Sequence, residues 1–87
     1  MSKLTMFMMA TCPYCNKALA WMDELAASDA RYGGLEIEKI DETLRPEIAD
    51  QYDYYYVPTF YLGGKKLHEG AASPEIIKKV FDAALEG

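Results

Sequence analysis

The sequence predicts an α/β fold in the order strand, helix, strand, helix, strand, strand, helix. Three observations carry this. An apolar run at Lys3–Met9 leads directly into a helical pattern that starts at Pro13. The pair Gly63-Gly64 separates two strand-like stretches, which is a two-residue hairpin signal. Ser73-Pro74-Glu75 opens a strongly amphipathic C-terminal stretch in the manner of a capped helix. With 87 residues, and neither repeats nor low-complexity tracts, the chain has the size of one small domain, residues 1–87.

Each element has a local reason. In Lys3–Met9, Leu4, Met6 and Met8 share one face and Thr5, Phe7 and Met9 the other. A strand apolar on both faces belongs in the middle of a covered sheet. The first helix is predicted over about Pro13–Ala27, with Cys15, Ala18, Leu19, Met22, Leu25 and Ala26 as its apolar stripe and Trp21 a packing residue at its edge. Ser28–Gly34 reads as a polar connection. Leu35–Ile40 alternates as a half-buried strand does, and its charges suit a sheet edge. A short helix is expected from Pro46 to Tyr52, with Ile48, Ala49 and Tyr52 inward. Val57 must be extended because a proline follows it. Thr59–Leu62 and Lys65–Glu69 form the hairpin, and His68 reads as a surface histidine. The last helix buries Ile76, Ile77, Val80, Phe81, Ala84 and Leu85 and ends at Gly87.

Composition excludes several classes. A formal charge of −5 offers no basic face for nucleic acid or for an anionic membrane surface. No apolar run is long enough to span a bilayer. Leu4–Ala10 lacks the flanks of a signal peptide and reads as a buried strand. The expected compartment is therefore the cytoplasm, where a structural disulfide does not persist and two cysteines serve chemistry instead.

That chemistry is specific. Cys12 and Cys15 lie three residues apart, between a strand and a helix, the arrangement of a thiol–disulfide redox site. At a helix N-terminus Cys12 meets unpaired N–H groups and the positive end of the helix dipole. That field favours the thiolate, which is the nucleophile; a pKa lowered from ~8.5 to ~7 raises its fraction at neutral pH from a few per cent to about half. Pro13 suits the first helical position, since its missing N–H would have no partner there. Cys15, one turn further in, falls on the apolar stripe. Cys12 is thus the candidate attacking sulfur and Cys15 the shielded resolving one. Lys17, in the first turn, reads as a solvated surface residue. Two cysteines and one distant histidine cannot supply the four ligands of a structural zinc site, so no metal is expected. An iron–sulfur cluster shared between two chains, and a non-catalytic peptide-docking module built on Val57 and the tyrosine run at 54–56, remain the alternatives of a different class.

Cys12-Pro13-Tyr14-Cys15 between strand and helix, Val57-Pro58 before a hairpin, and Gly70 before the last helix resemble the glutaredoxins over essentially the whole chain. The resemblance implies a thioredoxin fold, β-α-β-α-β-β-α, with a four-stranded mixed sheet and three flanking helices. It implies a cis Pro58 beside the redox site and a backbone at Val57 that pairs with bound peptide or glutathione. Thr11, Pro13, Tyr14, Tyr56, Val57, Pro58, Gly70 and Ala71 are the substrate-binding residues it implies.

The chain departs from that family in three places. Met9 stands where a Lys or Arg usually meets a glutathione carboxylate. Ala72 and Ser73 stand where an acidic pair usually meets the γ-glutamyl amine. Tyr56 replaces the usual Thr before Val-Pro. The Pro-Thr-Phe after Val57 and the loop from Gly70 are similar to thioredoxins, yet Trp-Cys-Gly-Pro-Cys is absent and Met6 occupies the place of their buried Asp. The sequence thus resembles glutaredoxin-shaped hydrogen donors. What this implies is a monomeric dithiol oxidoreductase that reduces protein disulfides and is recharged by a thioredoxin-reductase-type enzyme or by glutathione, with no tightly bound cofactor. A glutathione-dependent glutaredoxin acting on mixed disulfides is the alternative within the family.

Overall fold

The computed structural model describes residues 3–87; residues 1 and 2 of the expected domain lie outside it. The elements are β1 (Leu4–Met8), α1 (Pro13–Ser28), α2 (Ala30–Gly33), β2 (Ile37–Asp41), α3 (Pro46–Ala49), β3 (Thr59–Leu62), β4 (Lys65–Glu69) and α4 (Pro74–Glu86). The four strands form one mixed sheet in the order β2-β1-β3-β4. β1 runs parallel to β2, with Leu4 opposite Ile37 and Met8 opposite Asp41. It runs antiparallel to β3, with Phe7 opposite Thr59, and β3 pairs antiparallel with β4. This is the thioredoxin fold.

The alternation within β1 divides the interior into two cores. Leu4 and Met6 face α1 and α4 and pack with Ala18, Met22, Phe60, Ile77, Val80, Phe81 and Ala84. Phe7 faces the other way, toward Ile40, Ala49 and Tyr61, with Tyr52 and Tyr54 packed around it. The rings are in direct contact: Phe7 lies 4.7 Å from Tyr52 and 5.0 Å from Tyr54, centroid to centroid. The central strand is therefore covered on both sides, as its two-faced apolar pattern requires.

Several boundaries move for identifiable reasons. The connection read at 28–34 contains a one-turn helix, α2, in addition to the three expected helices. Asp29 caps it by accepting the Arg31 N–H at 2.9 Å, and Tyr32 anchors it by packing on Phe81 and donating its hydroxyl to Asp82. Leu35 still belongs to that turn, because its N–H donates to the Tyr32 carbonyl at 3.1 Å, so β2 begins at Ile37 rather than Leu35. α3 closes at Ala49, although Tyr52 still packs inward. Gly63 takes φ +60°, the positive φ that a primed hairpin turn needs, and joins Leu62 to its partner Lys65. Ser73 caps α4 by accepting the Ile76 N–H at 3.2 Å. Among the described residues no helix is long and apolar enough to cross a membrane.

Phe60 has no exposed surface. Phe60→Ala is expected to lower unfolding free energy by about 3–5 kcal/mol through lost burial and a residual cavity. Tyr55, 87% exposed, is expected to tolerate Ala within about 0.5 kcal/mol. Urea denaturation of the two variants checks the contrast.

Candidate active site

The strand register places the candidate residues at one end of the sheet. β1 ends at Met8, opposite Asp41 of β2, and its chain continues through Met9–Thr11 to Cys12. Because β3 is antiparallel and Thr59 pairs with Phe7, Val57-Pro58 enters from this same end. Thr59 also pairs with Glu69, which brings Gly70 alongside, and the Gly70 N–H donates to the Pro58 carbonyl at 2.8 Å. Carboxyl ends of parallel strands are where α/β sheets commonly carry their sites.

The loop before Cys12 is tied at three points. The Ala10 N–H donates to Asp41 Oδ2 at 3.1 Å, the Ala10 carbonyl accepts from Asn16 Nδ2 at 3.2 Å, and the Cys12 N–H donates to the Met9 carbonyl at 3.1 Å. Asp41 is itself oriented by the Thr43 N–H and hydroxyl, and these hydrogen bonds hold its carboxyl below the usual range. The sequence gives neither Asp41 nor Asn16 a place in the site. For Asp41, the nearest signal is the Asp-x-Thr spacing, which favours local side-chain-to-backbone bonds.

Cys12 is the N-cap of α1, with φ −83° and ψ 119°, and Pro13 follows at the first helical position. No cap hydrogen bond is closed to its side chain. Burial opposes ionisation here. The N–H of Cys15, the Cys15 thiol and the N–H of Tyr14 outweigh that opposition, and the net effect is a lowered Cys12 pKa. The two N–H groups are the donors that an N-cap side chain ordinarily satisfies. Cys12 is half-buried and Cys15 has no exposed surface; both are free thiols. Burial dominates at Cys15 and pushes its pKa up to about 12, with the neighbouring Cys12 adding to the rise and the Met9 N–H opposing it. Lys17 is exposed and is not among the largest influences on Cys12. Glu42 does act on both thiols, raising each slightly, and accepts a 2.7 Å hydrogen bond from the Tyr54 hydroxyl.

The other predicted residues divide by exposure. Thr11, Pro13, Tyr14, Tyr56 and Ala71 are exposed, Val57 and Gly70 are half-buried, and Pro58 is buried. The Val57–Pro58 bond is cis, as the resemblance implies. The Val57 side chain packs against the second core, while among the described residues its backbone N–H and C=O have no partner. Gly70 takes φ +97°, a conformation that disfavours a side chain. His68 is not a free surface residue: Nε2 lies 3.1 Å from the Gly70 carbonyl and 2.9 Å from that of Ala71 and donates to them, fixing this loop. Ser73 is committed to capping α4, and Ala72 packs against the first core. Among the described residues, no three His, Cys, Asp or Glu side chains cluster as a metal site.

A thioredoxin-fold chain with a dithiol at the head of its first helix defines a thiol–disulfide redox protein. Residues 4–67 match the glutaredoxin family, and the chain belongs to that family. No curated protein matches it. Among solved structures it is similar to a malarial protein, with TM-score 0.69 and 16% identity over 94% of both chains. It is also similar to a protein disulfide oxidoreductase from Aeropyrum pernix K1, with TM-score 0.67 and 24% identity. That match covers 94% of this chain but spans only 37% of the other protein's length. At these identities the two likenesses speak for the fold.

The opposed pKa shifts generate a reactivity pattern. A lowered Cys12 pKa means that its alkylation by iodoacetamide should reach half its plateau rate at a lower pH than that of an unstructured cysteine peptide treated alongside it. Cys15, whose pKa is raised, should stay protonated and unmodified at that pH. Mass spectrometry of the folded protein across pH 5–10 is expected to find one carbamidomethyl group, on Cys12, at every pH in that range.

Proposed function

We propose that this protein is a dithiol oxidoreductase that reduces disulfides in other proteins, with Cys12 as nucleophile and Cys15 as resolving thiol. The observation that carries it is the pairing of a half-exposed sulfur at an open helix N-terminus with a fully buried one a turn behind. The Cys12 thiolate attacks one sulfur of a substrate disulfide, forms a mixed disulfide and expels the other sulfur as a thiolate. Cys15 then loses its proton and attacks the Cys12 sulfur. The second substrate thiolate leaves, and Cys12–Cys15 remains as the oxidised disulfide, two electrons having passed to the substrate. The charge and hydrogen bond of Cys12, which help raise the Cys15 pKa, are removed once Cys12 is in the mixed disulfide. The resolving thiol is thereby easier to ionise in the intermediate than in the resting dithiol.

The reductant in this reading is a thioredoxin-reductase-type enzyme. Met9 and Ala72 carry no charge, and Ser73 is occupied by its own helix, so the positions at which glutaredoxins usually hold both ends of glutathione offer it no ion pair. Such contacts, where buried, contribute a few kcal/mol. Glutathione acting as reductant on the same dithiol is the second reading, favoured by the glutaredoxin-like Cys-Pro-Tyr-Cys. Neither reading needs a tightly bound cofactor or a second copy of the chain. Both belong in a reducing compartment such as the cytoplasm.

Cys12→Ser is expected to abolish insulin reduction. Cys15→Ser is expected to accumulate a mixed disulfide that mass spectrometry detects. Full turnover by Cys12→Ser would remove the nucleophile assignment. The oxidised protein is expected to be reduced faster by thioredoxin reductase with NADPH than by glutathione with its reductase; the reverse ranking selects the second reading.

A further inference from the structure

The segment Asp53–Pro58 has no regular secondary structure, yet its backbone is held at several points by the β3–β4 hairpin. One carboxylate oxygen, Glu69 Oε2, accepts both the Tyr55 N–H at 2.6 Å and the Tyr56 N–H at 3.0 Å. The other, Oε1, accepts Lys66 Nζ at 2.7 Å. The Tyr56 carbonyl accepts the Thr59 hydroxyl, the Pro58 carbonyl accepts the Gly70 N–H, and the Asp53 carbonyl accepts the Tyr61 hydroxyl at 2.6 Å. Lys66 and the two N–H groups hold the Glu69 pKa down at about 2, so the clamp stays charged at any working pH.

What the clamp holds is unusual in its exposure. Tyr55 is 87% and Tyr56 70% exposed, whereas the preceding Tyr54 is stacked on Phe7. Here the backbone is fixed and the rings stand in water, directly beside Val57, whose N–H and C=O remain open. Rigid aromatic groups of low conformational entropy next to an unpaired backbone edge are a preorganised contact surface for another chain. An open donor and acceptor on one extended residue accept a strand-like partner. Tyr14, 56% exposed, is a further exposed ring in the first turn of α1.

We propose that Tyr55 and Tyr56 form the docking surface for an extended polypeptide segment flanking the substrate disulfide, and that Glu69 is the positioning residue that presents this surface and Val57 to it. The proposal rests on the protein-disulfide reading above and names the substrate class it serves: a polypeptide long enough to cross from Cys12 past Val57 onto the two rings. A small disulfide reaches Cys12 without that contact. Glu69 touches neither sulfur nor substrate; it acts through the backbone it holds.

The test uses the pre-reduced protein and follows single-turnover reduction of insulin, as a protein disulfide, and of 5,5′-dithiobis(2-nitrobenzoate), as a small one. Glu69→Ala is expected to raise the half-saturating insulin concentration about tenfold, the size of effect for losing a charged hydrogen-bonded clamp, with the limiting rate changed less than about twofold. The rate with the small disulfide and the pH profile of Cys12 alkylation are expected to stay within about twofold of the parent. Glu69→Gln, which keeps one acceptor oxygen, is expected to fall between the two. Tyr55→Ser with Tyr56→Ser alters only exposed side chains and so keeps the fold; it is expected to reproduce the Glu69→Ala split, and Tyr55→Phe with Tyr56→Phe to restore parental behaviour. The proposal is overturned if the double serine variant leaves insulin half-saturation unchanged, or if both variants slow the two substrates equally. Those outcomes leave the dithiol mechanism standing; insulin reduction by Cys12→Ser is the separate result that removes it.

Discussion

Everything at the reactive end of this protein depends on the burial of β1 from both sides. Its two apolar faces commit it to the sheet centre, and the centre leaves only two edges to fill. A parallel neighbour on one edge and an antiparallel one on the other then bring three separate loops to the end where β1 stops. The helix cap at Cys12, the carboxylate of Asp41 and the cis bond before Pro58 are distant in sequence and become neighbours through this one strand.

The dithiol shows how one environment drives two identical groups apart. Burial raises both thiol pKa values, and at Cys15, wholly enclosed, it prevails. At Cys12 the N–H groups of the first helical turn, together with the Cys15 thiol, reverse the sign. A position shift of one turn thus separates a sulfur ready to ionise from one held protonated. In the proposed reaction this separation sets the order: attack begins at the sulfur whose charge is already stabilised, and the buried sulfur enters once the negative charge beside it has gone.

Around the sulfurs the loops are stiffened by side chains that bond to backbone rather than to each other. Asp41 holds Ala10, Asn16 holds the Ala10 carbonyl, His68 holds the Gly70 and Ala71 carbonyls, and Glu69 holds Tyr55 and Tyr56. Asp41, His68 and Glu69 lie on strands and Asn16 on α1, so the support requires no element of its own. They also divide the tyrosine run by function: Tyr54 closes the second core and donates to Glu42, while its two successors remain in water.

Local chemistry was sufficient for much of this. The hydrophobic periods, the Ser73-Pro74 cap, the Gly63-Gly64 turn and the Cys12–Cys15 spacing each act over a few residues, and each appears in the fold as its local preference requires. The one-turn α2 was missed because its stability comes from Tyr32 meeting Phe81 and Asp82, some fifty residues away. The same reason hid the roles of Asp41 and Glu69: a polar residue in a strand shows nothing of which distant N–H it will face. His68 bonds carbonyls only two and three residues on, but that contact depends on the turn the chain makes at Gly70. The sequence by itself determined that a paired thiol would sit at the mouth of a helix, since spacing and capping are properties of neighbouring residues. Only the tertiary structure decided which backbone would be clamped and which left open beside that thiol, because those bonds join segments that pairing across the sheet brings together.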